Sequence, residues 1–512
     1  MVLFKGHWNL VSVTLCIALI RRASSAASAP VIDLGYAKYQ GFYNDTFDLQ
    51  VYKGVRFAAP PKRWQLPEAP EREDDSVIQA TEEPPSCPQS PLASPSPDSF
   101  NFTAKGQEDC LFLNVFKPAN KTKLPVMVWI HGGGYGTGQA KSFDSSWVSR
   151  TAGNGFMWVQ IQYRLGAFGF ASSAEIARFG VPNAGLHDVR FALEWVQKYI
   201  HQFGGDPDQV TLAGQSAGGG AAMLMAMANG GTEGTRLFKR VLTSSSYLPT
   251  QWKYDDMQPS QSYYSLAARA GCLDASVTQN SSVFECLRSV DSFKLQEASA
   301  RTSVASKLGQ WAFIPVTDGT LIRERPTQQL LHGKVNGESM LTGNNANEAR
   351  NFVIQDIKTE ADFKAMIRLD YPLLSAENIS AIMELYKIPE TITAESLKFD
   401  SNGLAPPYAT AVSHLAAGWM QAARNLYAET TFVCTSYWLA AAYADTINPN
   451  AAGKKSWRYQ YSTPDAIHGA DRPPLVTDPD GPGGKARQGL QAGFPEDVWQ
   501  LHRQGGPECL PE

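Results

Sequence analysis

The stretch VTLAGQSAGGGAAMLMAMA, Val210 to Ala228, constrains this chain more than any other. It opens as a short apolar strand, passes a serine flanked by Gly214 and Gly218, and leaves as a helix of alanine, glycine and methionine. A strand that becomes a helix within five residues needs small neighbours, because so sharp a turn admits no bulk. The pattern G-x-S-x-G is weak alone. Between a strand and a helix it sets Ser216 on a strained turn, with the N–H of Ala217 at the helix N-terminus, where positive dipole collects.

The flanking segments supply a frame for that turn. LPVMVWIHGGGYGTG contains a run, Val126 to Ile130, that is apolar on both faces, as a buried strand requires. GFMWVQIQYRLGAFGF offers a second buried strand followed by a glycine-rich loop. LHDVRFALEWVQKYIHQFGGDP is a helix: Val189, Ala192, Leu193, Val196, Tyr199 and Ile200 recur at helical spacing, and Gly204 and Gly205 stop it. FKRVLTSSS, ESMLTG and SWRYQYS repeat the strand grammar, and ATAVSHLAAGWMQAARNLYAE is a further helix. Upstream, YQGFYNDTFDLQVYKGVRFA reads as short strands and EEPPSCPQSPLASPSPDSF as an exposed loop. Alternating strands and helices predict an α/β fold with a large, mostly parallel sheet wrapped by helices. Without an internal repeat or linker, residues 30–512 are expected to form one domain.

The N-terminus has its own logic. Lys5 and His7 precede a mostly apolar run, Leu10 to Ile20, and then RRASSAASAP. The run is short of the ~20 residues needed to span a bilayer and fits a signal peptide, residues 1–26, cleaved at 26–29. Secretion is therefore expected, with no stable membrane insertion. Five N-x-[ST] sequons, at Asn44, Asn101, Asn120, Asn280 and Asn378, are candidate glycan acceptors in that compartment. Six cysteines follow the leader, at 87, 110, 272, 286, 434 and 509. In an oxidising compartment they suggest disulfides, and by count alone about fifteen pairings are open. None has metal-ligand spacing, so no metal is expected, and no motif calls for a cofactor. A formal net charge of −4 gives no basic surface for nucleic acid.

A serine alcohol is a poor nucleophile near neutral pH and needs a base within hydrogen-bond reach. On a strand–turn–helix of this type the partners follow in the order serine, acid, histidine. Downstream of Ser216 stand His332, His414, His468 and His502. His414 falls in a helical pattern, His332 in a polar turn and His502 near the C-terminus; His468 follows the strand SWRYQYS in a loop and fits best. The acid should end a strand between them. Glu348 in ESMLTGNNANEARNF does so, and Asp318 in FIPVTDGTL is its rival, although an Asp-Gly pair equally makes a turn. A tetrahedral intermediate also needs preorganised donors for its oxyanion. HGGGY, after the buried strand, supplies side-chain-free backbone, and Gly133 and Gly134 join Ala217 as candidates.

With these residues in view, the chain resembles the type-B carboxylesterase/lipase family, the group that includes cholinesterases and fungal secreted lipases. EDCLFLNV, VWIHGGGY, YRLGAFGF, NAGLHDVRFALEWV, FGGDPDQVTLAGQSAGG, FIPVTDGTLI and HGADRPPLV carry the resemblance over most of the chain. It implies an α/β-hydrolase fold, a Ser216–Glu348–His468 triad, and disulfides Cys87–Cys110, closing a loop over the gorge, and Cys272–Cys286, with Cys434–Cys509 as a third. Two positions depart from the family pattern. Gln215 stands where glutamate is common, which removes a negative charge and disfavours a cationic choline ester. Ala349 stands where glycine usually follows the acid. FPEDVWQLHRQGGPECLPE resembles the approach to the family's last helix. The Cys87–Cys110 loop has only Leu92, Phe100 and Phe102 as large apolar residues and no helical apolar stripe, so it lacks the lid of an interfacial lipase. The expected activity is hydrolysis of uncharged small-molecule or lipid esters. A triacylglycerol lipase, an acyltransferase and an inactive binding protein of the same fold are the alternatives.

Overall fold

The computed structural model describes residues 28–142, 146–278, 281–388, 415–462 and 466–471. Among these residues, every strand anticipated above enters one eleven-stranded sheet. In chain order the strands are β1 (Ser28–Asp33), β2 (Lys38–Asn44), β3 (Leu49–Arg56), β4 (Val77–Gln79), β5 (Phe112–Pro118) and β6 (Leu124–Ile130), then β7 (Met157–Ile161), β8 (Gly205–Gln215), β9 (Arg240–Ser244), β10 (Ser339–Asn345) and β11 (Lys455–Tyr461). Spatially they run β1-β2-β3-β5-β7-β6-β8-β9-β10-β11, with β4 beside β2. From β7 to β11 each neighbour pair is parallel, whereas β1, β2, β3, β5 and β7 pair antiparallel.

The middle of the sheet carries the longest buried apolar runs. All five residues of β7 are buried, as are Val126, Val128 and Ile130 of β6 and Val210 and Leu212 of β8. Strands covered on both faces need such continuous apolar runs. The helix Ala184–Tyr199 presents Leu186, Val189, Ala192, Leu193 and Val196 to the interior, the spacing read from the sequence. A short 3-10 turn follows, and Gly204, at φ 86°, ends it in the left-handed region. The helix Ala217–Gly231 is buried from Ala217 to Ala228.

Three expectations change. LGAFGF is not a loop but a five-residue helix, Gly166–Phe170, buried at every position. Backbone taken wholly out of water must satisfy its own polar groups, which Gly169 and Ala171 do by donating to Leu165 and Ala167. The Pro/Ser-rich loop is not simply exposed. Ser90 and Ala93 are buried, and the strap is tied down by Ser90 N–H to Gly136 O, Ala93 N–H to Gln310 O and Ser94 N–H to Val304 O. Of the helix expected over 409–429, residues 409–414 lie outside the described residues; the rest is observed as Gly418–Ala428, passing through a π-helical turn, Glu429–Val433, into Cys434–Ala442.

Cys87–Cys110 and Cys272–Cys286 are disulfides. The leader, Asn280, His414, His502 and Cys509 lie outside the described residues, and with them the Cys434–Cys509 pairing. Asn101, Asn120 and Asn378 are exposed and Asn44 is partly so. Among the described residues, no helix is long and apolar enough to cross a membrane.

Candidate active site

Ser216 sits between β8 and the helix that follows, at φ 59° and ψ −127°. That conformation lies outside the regions open to L-residues and costs about 1–3 kcal/mol, so the surroundings must impose it. They do so through backbone. Ser216 N–H donates to Ser244 O at the end of β9 (2.9 Å), and its carbonyl accepts from Gly220 (2.8 Å) and Tyr247 (3.1 Å). The two glycines are required by close approach: a Cβ on Gly218 would overlap the Ile130 carbonyl of β6, and one on Gly214 would overlap the backbone of Gly218.

His468 reaches this serine from the loop after β11. Its Nε2 lies 2.8 Å from Ser216 Oγ, and its Nδ1 lies 2.5 Å from Glu348 Oε2. A carboxylate at Nδ1 favours the tautomer protonated there, which leaves Nε2 free to accept the serine proton. The rings of Phe352 (5.1 Å, edge-on) and Phe432 (4.7 Å) pack against the imidazole and fix its plane. Glu348 is fully buried at the start of a 3-10 turn, Glu348–Asn351, just past β10. Its Oε1 accepts from Ser245 Oγ (2.6 Å), Asn345 N–H (2.5 Å) and Asn345 Nδ2 (3.3 Å). Ala349 fits because a 3-10 turn accepts any L-residue.

A second buried carboxylate, Asp471, anchors the histidine loop. It accepts from Tyr459 OH of β11 (2.7 Å), Asn345 Nδ2 of β10 (3.2 Å) and Ser244 Oγ of β9, while its own N–H donates to Asn345 Oδ1 (3.1 Å). Asn347 N–H to Ala466 O (2.9 Å) makes a second tether. Sequence reasoning passed over Ser244, Ser245, Asn345, Tyr459 and Asp471. Ser244, Ser245 and Asn345 lie where an apolar run gives way to polar letters, in TSSS and GNNAN, but nothing local marks them as partners of one another, of Tyr459 or of Asp471.

The rivals lie elsewhere. Asp318 accepts from Asn183 Nδ2 (2.5 Å), from the N–H groups of Thr320 and Ile322, and from Thr320 Oγ1, so its carboxylate holds its own turn. His332 is exposed at the end of the helix Pro326–Leu331.

The glycine loop leaves β6 beside the serine. Gly133 and Gly134 have φ 113° and 64°. The Gly133 carbonyl accepts from Gly136 (3.1 Å) and Thr137 (2.9 Å) inside the loop, so the N–H of Gly134, across the same trans peptide, points the opposite way. Trp311 lies flat on this backbone, and a Cβ on Gly134 would overlap its indole. The disulfide-closed strap braces the loop from outside: Ser90 N–H donates to Gly136 O (2.6 Å), and the Gln89 amide pairs with the N–H and C=O of Gly138 (2.8 and 3.0 Å). His131, at the loop's start, stacks on Tyr163 (4.7 Å). Burial lowers its pKa to about 4, so it is neutral at neutral pH.

The strand–turn–helix serine, at the C-terminal edge of a mostly parallel sheet with an imidazole, a buried carboxylate and bare amides around it, defines an α/β-hydrolase. The solved structure of Aspergillus niger EstA shares the fold at a TM-score of 0.73 and 27% identity, over 90% of this chain and 86% of that one. The chain belongs to the carboxylesterase family, whose model matches residues 28–482, and is by class a carboxylic ester hydrolase. It is similar to carboxylesterase patB of Aspergillus clavatus (30% identical, over 70% of this chain and 72% of that protein). It is likewise similar to a secreted lipase of Arthroderma benhamiae (30%, over 80% and 74%). A third relative, from Byssochlamys spectabilis, is named an inactive carboxylesterase-like protein, VdtD (33%, over 63% and 55%).

Proposed function

We propose that this protein is a secreted serine esterase, a single catalytic domain that cleaves uncharged carboxylic esters through an acyl-enzyme on Ser216. The continuous chain of contacts from Glu348 through His468 to Ser216, at 2.5 and 2.8 Å, carries the reading. Ser216 Oγ attacks the ester carbonyl as its proton passes to His468 Nε2, and the carbonyl electrons move onto oxygen. The N–H groups of Gly133, Gly134 and Ala217 meet that oxyanion; one such donor is worth about 10²–10³ in rate. Buried Glu348 stabilises the imidazolium and holds the ring in register. The imidazolium then gives its proton to the leaving alkoxide as the C–O bond breaks, and water repeats the cycle on the acyl-enzyme.

The strap between Cys87 and Cys110 favours an esterase over an interfacial lipase, because its backbone is bound to the glycine loop and to Val304 and Gln310 rather than free to swing. Turnover of a short and a long acyl ester, each below and above its micelle threshold, tests this: rates that follow dissolved ester support it, and a jump at the interface overturns it. Stoichiometric labelling by an organophosphonate, lost in Ser216→Ala together with at least about 10⁴-fold of kcat, is the expected sign of the acyl-enzyme. Folded native protein that takes no label would instead ally this chain with its inactive relative. Secretion is supported by the disulfides Cys87–Cys110 and Cys272–Cys286 and by the exposed sequons at Asn101, Asn120 and Asn378. The expected outcome is protein in the medium whose gel mobility rises on endoglycosidase treatment.

A further inference from the structure

Gln215 ends β8 directly before the nucleophile and is buried. Its side-chain nitrogen lies 3.3 Å from His468 Nε2, the same ring nitrogen that lies 2.8 Å from Ser216 Oγ. Neutral imidazole offers one lone pair at Nε2, so two donors converge on one acceptor, and the serine is the nearer. The charged and titratable groups on the other side of the ring are Glu348 at Nδ1 and, beyond it, Asp471 and Tyr459. Phe352 and Phe432 cover the ring, and the described neighbours at Nε2, Ser216 and Gln215, are both neutral.

We propose that Gln215 is a positioning residue that serves Nε2 of His468 in both of its protonation states. An amide carries a donor and an acceptor on one rotatable bond. Its N–H meets the bare nitrogen of the resting ring. Once Ser216 has yielded its proton, the amide turned over presents Oε1 to the new N–H and steadies it until the leaving alkoxide takes the proton. A carboxylate at 215 serves only the second state and repels the first lone pair; a thioether serves neither. The proposal rests on the Ser216–His468 reading above and adds a reason for an amide at this position.

The test compares native protein with Gln215→Glu and Gln215→Met by kcat/KM across pH on a neutral ester, with phosphonate labelling and melting points alongside. In Q215E the acid limb should move up by about one pH unit, since a carboxylate this close to a cation favours it by that much or more. In Q215M kcat should fall about tenfold with KM unchanged. A Q215E profile that overlies the native one, with full labelling, overturns the proposal. If Q215E does not fold, unchanged kcat in Q215M overturns it and the tenfold loss supports it. Native protein that takes no label removes the underlying mechanism, and the proposal falls with it.

Discussion

The two halves of the active site are held by different physics. Ser216 is fixed by main chain: three strand ends and the first turn of a helix approach so closely that no Cβ fits at Gly214 or Gly218. His468 and Glu348 are fixed by side chains, in a buried net of hydroxyls, amides and one further carboxylate spread over the ends of β9, β10 and β11. Steric contact between backbones fails abruptly, because neither partner can move away. A hydrogen-bond net fails by degrees, because each member removes one of several contacts.

The strongest probe of the contrast is Glu348→Gln. It keeps the volume and most hydrogen bonds but not the charge, so melting should hardly move while kcat drops about 10⁴-fold, as when a triad imidazole is left in the wrong tautomer. If Asp318→Asn did this and Glu348→Gln did not, the acid would be misassigned. Gly218→Ala tests the backbone half. It adds one methyl and should destabilise by about 3 kcal/mol or more in urea unfolding, or abolish soluble protein. A stable, active alanine variant would show that the elbow can yield.

His131 sharpens the comparison through pH. With its pKa lowered to about 4 in the fold and near 6.5 unfolded, the unfolded chain binds the extra proton between those values. This contribution to stability is therefore complete above about pH 6.5 and is lost as the pH falls towards 4, by at most about 3 kcal/mol. The urea midpoint should drop across that window, and less steeply in His131→Gln; parallel curves would refute the assignment. The smallest effect is expected in Ser245→Ala, which takes one of three donors from Oε1 of the buried Glu348 carboxylate. A loss of about 1–3 kcal/mol in stability with roughly tenfold in kcat would mark graded failure, and collapse of the fold would show the net to be as brittle as the elbow.

The same contrast explains what the sequence made legible. Gly214 and Gly218 announce the elbow because close backbone contact selects glycine at fixed spacing, a local signal. The β6 run was plain because no polar residue interrupts it. The net behind Glu348 was not visible, since Ser245, Asn345 and Asp471 are distant in the chain and ordinary in loops, and only the sheet order brings them together. LGAFGF misled because two glycines in six residues suggest a loop, whereas its burial against the helix Ala184–Tyr199 demands a hydrogen-bonded turn.

The packing around Ser216 also limits how such a protein can diversify. Where main chain meets main chain, substitution is rejected by geometry before any ester is tried, so the nucleophile's own letters say little about diet. Variation in taste is left to side chains outside that backbone seam, since Gln215, Phe352 and Phe432 are themselves bound up with His468. Selection for a new ester would find its raw material there, at positions that touch neither the elbow nor the imidazole.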